Sequence, residues 1–365
     1  MKRPLKQYTR ECGLRNKTQE NIPVYSVTNS HGFVPSTDYF SKEVYSKDLS
    51  NYKIVSRGMI AYNPSRVNVG SLAVQNAEDK VIVSPLYVVF SVDESELMPE
   101  YVSYFLHSER GIKEIVAHTS GSVRDSLKFS ALQDIEINIC SLNEQAHIVS
   151  LLQKIERIIE KRRSVLVKID DLVKSQFIEM FEKGQQYEET FFGDVCLYVR
   201  NGANIKQSKG AGGYPITRIE TLSNDVFNSD RLGYADITDL SRYTNYLLKK
   251  GDILISHINS IAYLGRAVQY RGEVASPVIH GMNLLCARMK EGYNPTYIEW
   301  YLKSKRAKDY IATITKKAVN QASITTSDLK KMAIPVPTKE KQDQFACFVE
   351  QTDKSKIPSE MEVAA

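Results

Sequence analysis

The sequence predicts an α+β protein in which two similar mixed α/β domains alternate with long helices. One order of motifs occurs twice, about 195 residues apart, and in each copy strand-like runs precede helical spacing. Each copy is also followed by a segment with helical periodicity. We therefore expect domains at residues 1–141 and 184–337, a long central helix at 142–183, and a shorter helix and tail at 338–365.

The internal repeat is loose but collinear. The segment that starts at Tyr8 corresponds to the segment that starts at Tyr198, and the helical run after Pro99 corresponds to the run after Pro295. The separation drifts in one direction, from 190 to 197 residues, as small insertions would produce. Two copies of a domain tend to present similar surfaces around a pseudo-two-fold axis. Such a pair of surfaces suits a two-part ligand, of which duplex DNA is the commonest.

Within each copy, short runs of β-branched and aromatic residues are separated by Gly, Asn, Ser and Pro, which is typical of strands. In the first copy these runs include Val24–Val27, Met59–Tyr62 and Val81–Val83. From Pro99 to Ala117 the apolar residues recur at helical spacing. The sequence therefore predicts strands first and helices late in each domain.

The segment between the domains has the features of one long helix. Ser141 and Glu144 have the spacing of a capping box, a heptad-like apolar pattern runs on to Phe177, and no Pro or Gly occurs before Gly184. Such a helix would be roughly 60 Å long. Its narrow apolar stripe needs a helical partner, and we expect that partner to be the segment after Pro337.

The second helical segment is shorter than the first, so part of the apolar stripe should stay uncovered. One interpretation is that another subunit binds there, and the alternative is a tail shortened by truncation or a frameshift. The residues predicted to bind a partner are Val165, Leu166, Ile169, Leu172 and Val173.

Composition narrows the function classes. The net charge is +5, with Lys and Arg exceeding Asp and Glu by six over residues 184–337 and balancing them over 1–141, which favours an anionic partner for the second copy. The five cysteines are far apart, which argues against a disulfide framework or a zinc site. The sequence start lacks the apolar core of a signal peptide, and the stretch around Leu86–Val92 is too short to span a bilayer. We expect a cytoplasmic protein with no membrane partner.

No motif in the sequence indicates that the chain catalyses the making or breaking of covalent bonds. The run from Asn63 to Arg66 nearly resembles the Asn-Pro-Pro-aromatic motif of DNA amino-methyltransferases, but Ser65 and Arg66 replace the second proline and the aromatic ring. The sequence also lacks a glycine-rich loop for S-adenosylmethionine, paired carboxylates, a nucleophile elbow and His-x-x-x-His spacing. We therefore expect no catalytic residue, no metal and no cofactor.

Polar loops at matching places in the two copies are the candidate DNA contacts. Arg and Lys favour guanine edges and Asn and Gln favour adenine edges, although any one of these residues could equally belong to a solvated loop. In the first copy the candidates are Asn29, His31, Asn63, Arg66, Arg124 and Lys128. In the second copy they are Arg218, His257, Asn259, Arg266, Lys317, Asn320 and Gln321.

The chain resembles the DNA-specificity subunit of a type I restriction-modification enzyme. The resemblance is carried by Ser26–Phe33, Tyr62–Ser71, Phe192–Val195 and the helix starts near Glu144 and Lys341. It implies target-recognition domains alternating with helices that pack as an antiparallel coiled coil and act as a ruler. It also implies a split duplex DNA target with an unread spacer, two modification subunits that carry the methyltransferase chemistry, and restriction subunits in the full complex.

The chain departs from the family pattern in two places. The first copy lacks the Phe-Gly-Asp-Val opening that the second copy has at Phe192, and the second helix is shorter than the first. The alternative interpretations are a recognition fragment of a single-chain restriction-methyltransferase, a coiled-coil interaction scaffold, or an enzyme of unknown chemistry.

Overall fold

The computed structural model describes residues 1–39, 48–119, 126–208, 212–318 and 321–361. The chain divides into two compact units, Met1–Lys161 and Arg162–Ala365. Both units are mixed α/β, and one long helix, Leu142–Phe181, runs across the boundary. The predicted fold class is confirmed in these features. The finer division at residues 141, 183 and 337 remains a prediction.

The first unit places most of its short strands before its main helices. Its strands are Lys2–Pro4, Thr9–Glu11, Tyr25–Thr28, Gly32–Pro35, Lys53–Ser56, Ile60–Tyr62, Leu72–Val74, Lys80–Val83, Val88–Val92 and Glu136–Asn138. Its helices are Ser36–Tyr39, Pro99–His107, Glu109–His118, Phe129–Gln133 and the start of the long helix, with 3-10 turns at Leu5–Gln7 and Val67–Val69.

The second unit repeats that order. Its strands are Glu189–Phe191, Cys196–Asn201, Gln207–Ser208, Tyr214–Ile216, Leu222–Ser223, Val226–Phe227, Gly233–Ala235, Ile253–Ser256, Ile258–Asn259, Ala267–Gln269, Leu284–Met289, Lys316–Lys317, Ala322–Ser323 and Ala333–Pro335. Its helices are Phe192–Val195, Pro295–Lys303, Lys305–Ile314, Thr326–Lys330 and Lys339–Met361, with 3-10 turns at Ile219–Thr221, Ser229–Arg231, Ser241–Tyr246 and Ile261–Tyr263.

A four-stranded antiparallel sheet with the same topology lies at the centre of each unit. In the first unit its strands lie side by side in the order Thr9–Glu11, Val88–Val92, Ile60–Tyr62, Leu72–Val74. In the second the order is Cys196–Asn201, Leu284–Met289, Ile253–Ser256, Ala267–Gln269. Corresponding strands therefore occupy corresponding places, which confirms the internal repeat.

The helical run predicted after Pro99 is two helices, because a serine interrupts it. Ser108 has an extended backbone, and its hydroxyl accepts a hydrogen bond from the Gly111 N–H at 3.1 Å, so it caps the second helix. Ser304 does the same in the second unit by accepting from the Ala307 N–H at 3.3 Å. In each unit, side chains of this helix pair pack with the central sheet in one apolar core.

A buried glutamine fixes the start of each long helix to its own unit. The Gln145 side chain accepts from the Met98 N–H at 2.9 Å and donates to the carbonyls of Glu96 and Cys140, both at 2.9 Å. Gln342 likewise accepts from the Asn294 N–H and donates to the Pro337 carbonyl, both at 2.8 Å. Because these buried polar groups bond to one another and not to water, breaking the bonds would leave the groups unsatisfied. The start of each helix is therefore fixed relative to its own domain.

The capping box predicted at the start of the long helix is confirmed. The Ser141 N–H donates to the Glu144 carboxylate at 2.9 Å, and the Glu144 N–H donates to the Ser141 hydroxyl at 3.3 Å. The Ser141 hydroxyl also donates to the Glu144 carboxylate, at 2.7 Å, and this bond together with the one from the Ser141 N–H lowers the pKa of Glu144.

The prediction that Val173 lies on an uncovered stripe is wrong. Val173 is 1% exposed, because it shares a helix face with Phe177 and Phe181, and this face packs into the core of the second unit. Leu166 and Ile169 are half-buried, while Val165 and Leu172 are exposed. Other exposed apolar residues lie earlier in the helix, among them Leu151, Ile155, Ile158 and Ile159.

The second helix, Lys339–Met361, is about six turns long, slightly longer than the sequence predicted. Phe345 joins it to the end of the long helix, with ring centroids 5.4 Å from Phe177 and 5.5 Å from Phe181. The two helices thus pack through aromatic rings. Their arrangement as an antiparallel coiled coil remains a prediction.

Candidate nucleic-acid interface

In the first unit, a tight loop follows the inner strand Ile60–Tyr62. The Asn63 carbonyl accepts from the Arg66 N–H at 3.0 Å, and the Arg66 carbonyl accepts from the Ser71 N–H at 3.1 Å. Gly70 ends the loop at φ +94°, a conformation that side-chain-bearing residues rarely adopt. The backbone of Arg66 is therefore held by the loop while its side chain is exposed.

Two other predicted segments lie against this loop. A Cβ on Gly70 would lie 3.4 Å from the Asn29 carbonyl oxygen, so the hairpin turn that carries Asn29 and His31 packs beside the loop. On the other side, the Leu127 N–H donates to the Pro64 carbonyl at 3.0 Å, which places exposed Lys128 next to the loop. Five predicted residues, Asn29, His31, Asn63, Arg66 and Lys128, are thereby grouped on three adjoining segments.

An open cleft of about 480 Å³ lies between two of these segments, at Pro64 and at Ser126–Lys128, and the edge strand that carries Glu11. Glu11, Pro64, Ser126, Lys128 and Gln133 are among the residues that line it. A carboxylate and an ammonium group thus share one cleft, and together they can accept from and donate to a base edge.

Asn63 is less available than the sequence predicted. Its side chain is half-buried, and its Oδ1 accepts from the Ser65 N–H at 3.1 Å, which stabilises the turn. Arg66 and Lys128 are both exposed, and no side-chain hydrogen bond or ion pair is shown for either within the described ranges. They are the stronger candidates for contacts to a ligand.

The second unit has the corresponding loop after Ile253–Ser256. The Gly265 N–H donates to the Ser256 carbonyl at 2.8 Å, and Gly265, at φ +76°, corresponds to Gly70. The Ile324 N–H donates to the His257 carbonyl at 3.0 Å, as Leu127 does to Pro64 in the first unit. The two loops are therefore anchored at corresponding places and differ in length and in their side chains.

A three-stranded ribbon brings several predicted residues together in the second unit. Its strands are Ile258–Asn259, Ala322–Ser323 and Lys316–Lys317, in that spatial order, so Asn259 and Lys317 both pair with Ala322. Gln321 lies at the adjoining turn, where its carbonyl accepts from the Ala318 N–H at 2.8 Å. Lys316, Lys317 and Gln321 are exposed, so the ribbon presents cationic and amide groups to solvent.

The prediction of a solvent-facing His257 is wrong. The side chain is 6% exposed, because the loop folds over it, and burial lowers its pKa. The imidazole is therefore mostly neutral at pH 7 and does not reach the surface that Asn259 and Lys317 share.

The prediction that Arg266 contacts DNA is also corrected. Its guanidinium donates to the Leu222 carbonyl at 2.9 Å, pairs with Asp225 at 2.9 Å and lies 4.7 Å from the centre of the Tyr263 ring. All of these contacts lie within the second unit, so the Arg266 side chain is already bonded to its own domain. Arg218, on the turn that precedes Leu222, is half-buried and pairs with Glu220 at 3.5 Å.

Two further candidates, Arg124 and Asn320, lie outside the described residues. Conversely, the structure exposes residues in the second loop that the sequence interpretation did not select, above all Ile261 and Tyr263, and Lys316 on the neighbouring ribbon. Apolar residues in a loop look like core residues in a sequence, so only their exposure in the folded structure distinguishes them.

The described part of the chain contains no group of three or more His, Cys, Asp or Glu side chains placed to ligate a metal ion. Among the same residues, no helix combines the length and apolar character needed to cross a membrane.

The family model for the type I restriction modification DNA specificity domain matches the chain twice, over residues 11–168 and 185–363. The chain belongs to this family. The two matches follow the internal repeat, so each unit of this specificity protein is one copy of the family domain. The site described above lies within these matches, in the loops that follow corresponding strands.

Among curated proteins, the chain is similar to the MjaX type I restriction enzyme specificity subunit of Methanocaldococcus jannaschii, with 38% identity over 176 residues. The match covers 48% of this chain and 41% of that relative, so the chain spans less than half the length of the relative it matches.

Two solved structures share the fold of this family member. One is the S subunit of a type I restriction-modification system from M. genitalium, with TM-score 0.57 and 15% identity, covering 100% of this chain and 92% of that one. The other comes from work on complex assembly and conformational transition of the type I R-M system, with TM-score 0.56, 16% identity and the same coverages. At these identities the likeness concerns the fold alone.

Proposed function

We propose that this chain is the non-catalytic DNA-reading subunit of a type I restriction-modification enzyme. Each unit reads one half of a bipartite duplex target, and the long helix links the two units along the chain. Two modification subunits, which carry the methyltransferase chemistry, bind the chain, and restriction subunits join the full complex.

The pair of matched loops is the observation that carries the proposal. Both follow the inner strand of a central sheet, both end in a glycine with positive φ, and both bond to the segment that precedes a short helix. The first loop presents Arg66, while the ribbon that includes part of the second presents Lys317 and Gln321. One scaffold with two sets of side chains suits the reading of two different half-sites.

The charge around the loops supports an anionic ligand. The sequence has no acidic residue between Asp48 and Glu78, and none between Asp252 and Glu273. The lysine strand of the ribbon lies in a third such stretch, between Asp309 and Asp328. Lysine side chains free of local carboxylates attract phosphate and release its counterions.

Exposed apolar residues of the long helix support the docking of other subunits. Ile155, Ile158, Val165 and Leu172 are each more than half exposed. Covering one such side chain is worth roughly 1.5–3 kcal/mol, so a partner that covers several of them gains substantial free energy. We propose that the modification subunits bind this surface.

The proposed function is tested by selecting targets for the full chain from a duplex library that is randomised over about two helical turns. We expect enrichment of two sequence blocks separated by an interval with no preference. Enrichment of a single continuous block would contradict two half-site readers, and no enrichment at all would favour an interaction scaffold.

The ribbon lysines should contribute affinity without sequence preference. Changing Lys317 to Ala should weaken binding equally for all duplexes and lower the slope of log affinity against log salt by about 1, because one phosphate contact is lost. Lys305, an exposed lysine of the same unit paired with Asp309 at 2.5 Å, provides the matched control, and its change to Ala should leave the slope unaltered. Equal slopes for the two variants would contradict the placement of DNA on the ribbon.

A further inference from the structure

Apolar side chains are concentrated on the second reading loop. Ile261 is 61% exposed, Tyr263 49% and Ile258 37%, all within six residues of chain. Single exposed apolar residues are ordinary on protein surfaces. Three on one short loop form a larger apolar area, and binding of a ligand there would remove that area from water.

The surroundings of this apolar group favour DNA as the ligand that covers it. Ile258 and Asn259 form the outer strand of the ribbon whose opposite strand is Lys316–Lys317. For neither lysine is an ion pair shown in the part of the chain that the structure describes. An apolar surface beside unpaired cations fits the major groove, where phosphates flank a floor that carries the methyl groups of thymine.

Ile261 and Arg66 lie at the same distance before the glycine that ends each loop, although the second loop is two residues longer. Each residue stands four positions before the positive-φ glycine that ends its loop, Gly265 and Gly70 respectively. After each glycine the next strand pairs with the inner strand in the same register, Tyr62 with Leu72 and Ile255 with Ala267. An exposed side chain beside the start of the 3-10 turn is therefore a guanidinium in the first loop, at Arg66, and a branched aliphatic chain in the second, at Ile261.

Tyr263 is held in place by Arg266. The guanidinium lies 4.7 Å from the ring centre and is itself fixed by Leu222 and Asp225. The ring, two residues along the chain from Ile261, is thus stabilised by a cation–π contact, and Arg266 acts on the reading surface through Tyr263.

We propose that Ile261 is a specificity-determining residue that contacts the 5-methyl group of a thymine in the second half-site. Tyr263 supports the same apolar surface. The inference rests on the proposed DNA-reading function and adds to it the chemical class that the second unit recognises. The corresponding Arg66 of the first unit lacks any methyl preference and suits a guanine edge.

The test uses the full chain and the target obtained from the duplex selection. Each thymine of the second block is replaced in turn by deoxyuridine, which keeps the base pair and removes only the methyl group. For the unchanged chain we expect one position at which the replacement weakens binding about fourfold, the value of one buried methyl-sized group. Replacements in the first block serve as the internal control, and their effect on binding should not depend on Ile261.

Ile261→Ser should bind the thymine duplex more weakly and show no further loss with deoxyuridine at that position. Leu197→Ser is the matched control, since Leu197 is 64% exposed on a strand of the same unit, and it should keep the full fourfold difference. If Ile261→Ser retains that difference, or no thymine of the second block is sensitive, Ile261 does not read a methyl group. Failure to enrich any two-block target would instead overturn the proposed function.

Discussion

Changing Phe345 to Ala should lower the free energy of unfolding of the second unit by about 3–5 kcal/mol, the usual cost of removing a buried aromatic ring. Phe345 is fully buried, and its ring centroid lies 5.4 Å from Phe177, 5.5 Å from Phe181 and 6.0 Å from Trp300. The large effect follows because one ring holds the second helix, the end of the long helix and the domain core together.

Denaturant unfolding of the full chain measures this effect, with hydrogen exchange in Leu284–Met289 reporting on the second unit. Phe191, which is 56% exposed, supplies the control, and Phe191→Ala should change the unfolding free energy far less. Similar losses for both variants would show that the aromatic cluster does not stabilise the helix junction.

Changing Asp252 to Ala should cost about 3 kcal/mol, because the change leaves a partly buried arginine without its counter-charge. The two carboxylate oxygens of Asp252 lie 2.6 Å from Nε and Nη2 of Arg288, and one of them also accepts from the Lys249 N–H at 2.8 Å. Asp252 is 1% exposed and the Arg288 side chain 21%, so some hydration of the arginine keeps the cost near the lower end for a buried pair.

The loss at Asp252 is measured by thermal unfolding of the full chain. Asp309→Ala removes an exposed ion pair of the same unit and should have little measurable effect. The double change Asp252→Leu and Arg288→Met should recover part of the stability, since it removes both charges and fills the space. No recovery would mean that the hydrogen bond to Lys249, rather than the ion pair, is the main contribution.

The sequence predicted much of the fold because the repeat duplicates local signals that depend on short-range chemistry. The capping box at Ser141 is of this kind, since a hydroxyl and a carboxylate three residues apart bond wherever a helix starts. The break at Ser108 was missed, because the apolar spacing continues across it and only the extended backbone of the serine separates the helices.

The candidate site was predicted less completely than the fold. Polar residue types identified the loops of Arg66 and Asn259, but not which side chains reach solvent. His257 is buried by the fold of its own loop, and Ile261 is exposed by the same fold, contrary to the usual behaviour of both residue types. Val173 was misassigned because heptad spacing does not tell whether a helix face meets its own domain or another subunit.

The central claim is that each unit reads its own half-site, and a reciprocal pair of variants tests it most directly. Target selection with Arg66→Ala should reduce sequence preference in the first block only, by roughly 1–3 kcal/mol at one base pair. Selection with Gln321→Ala, which changes an exposed amide of the ribbon, should do so in the second block only. If either variant degrades both blocks equally, the two units do not read DNA independently, and the account is contradicted.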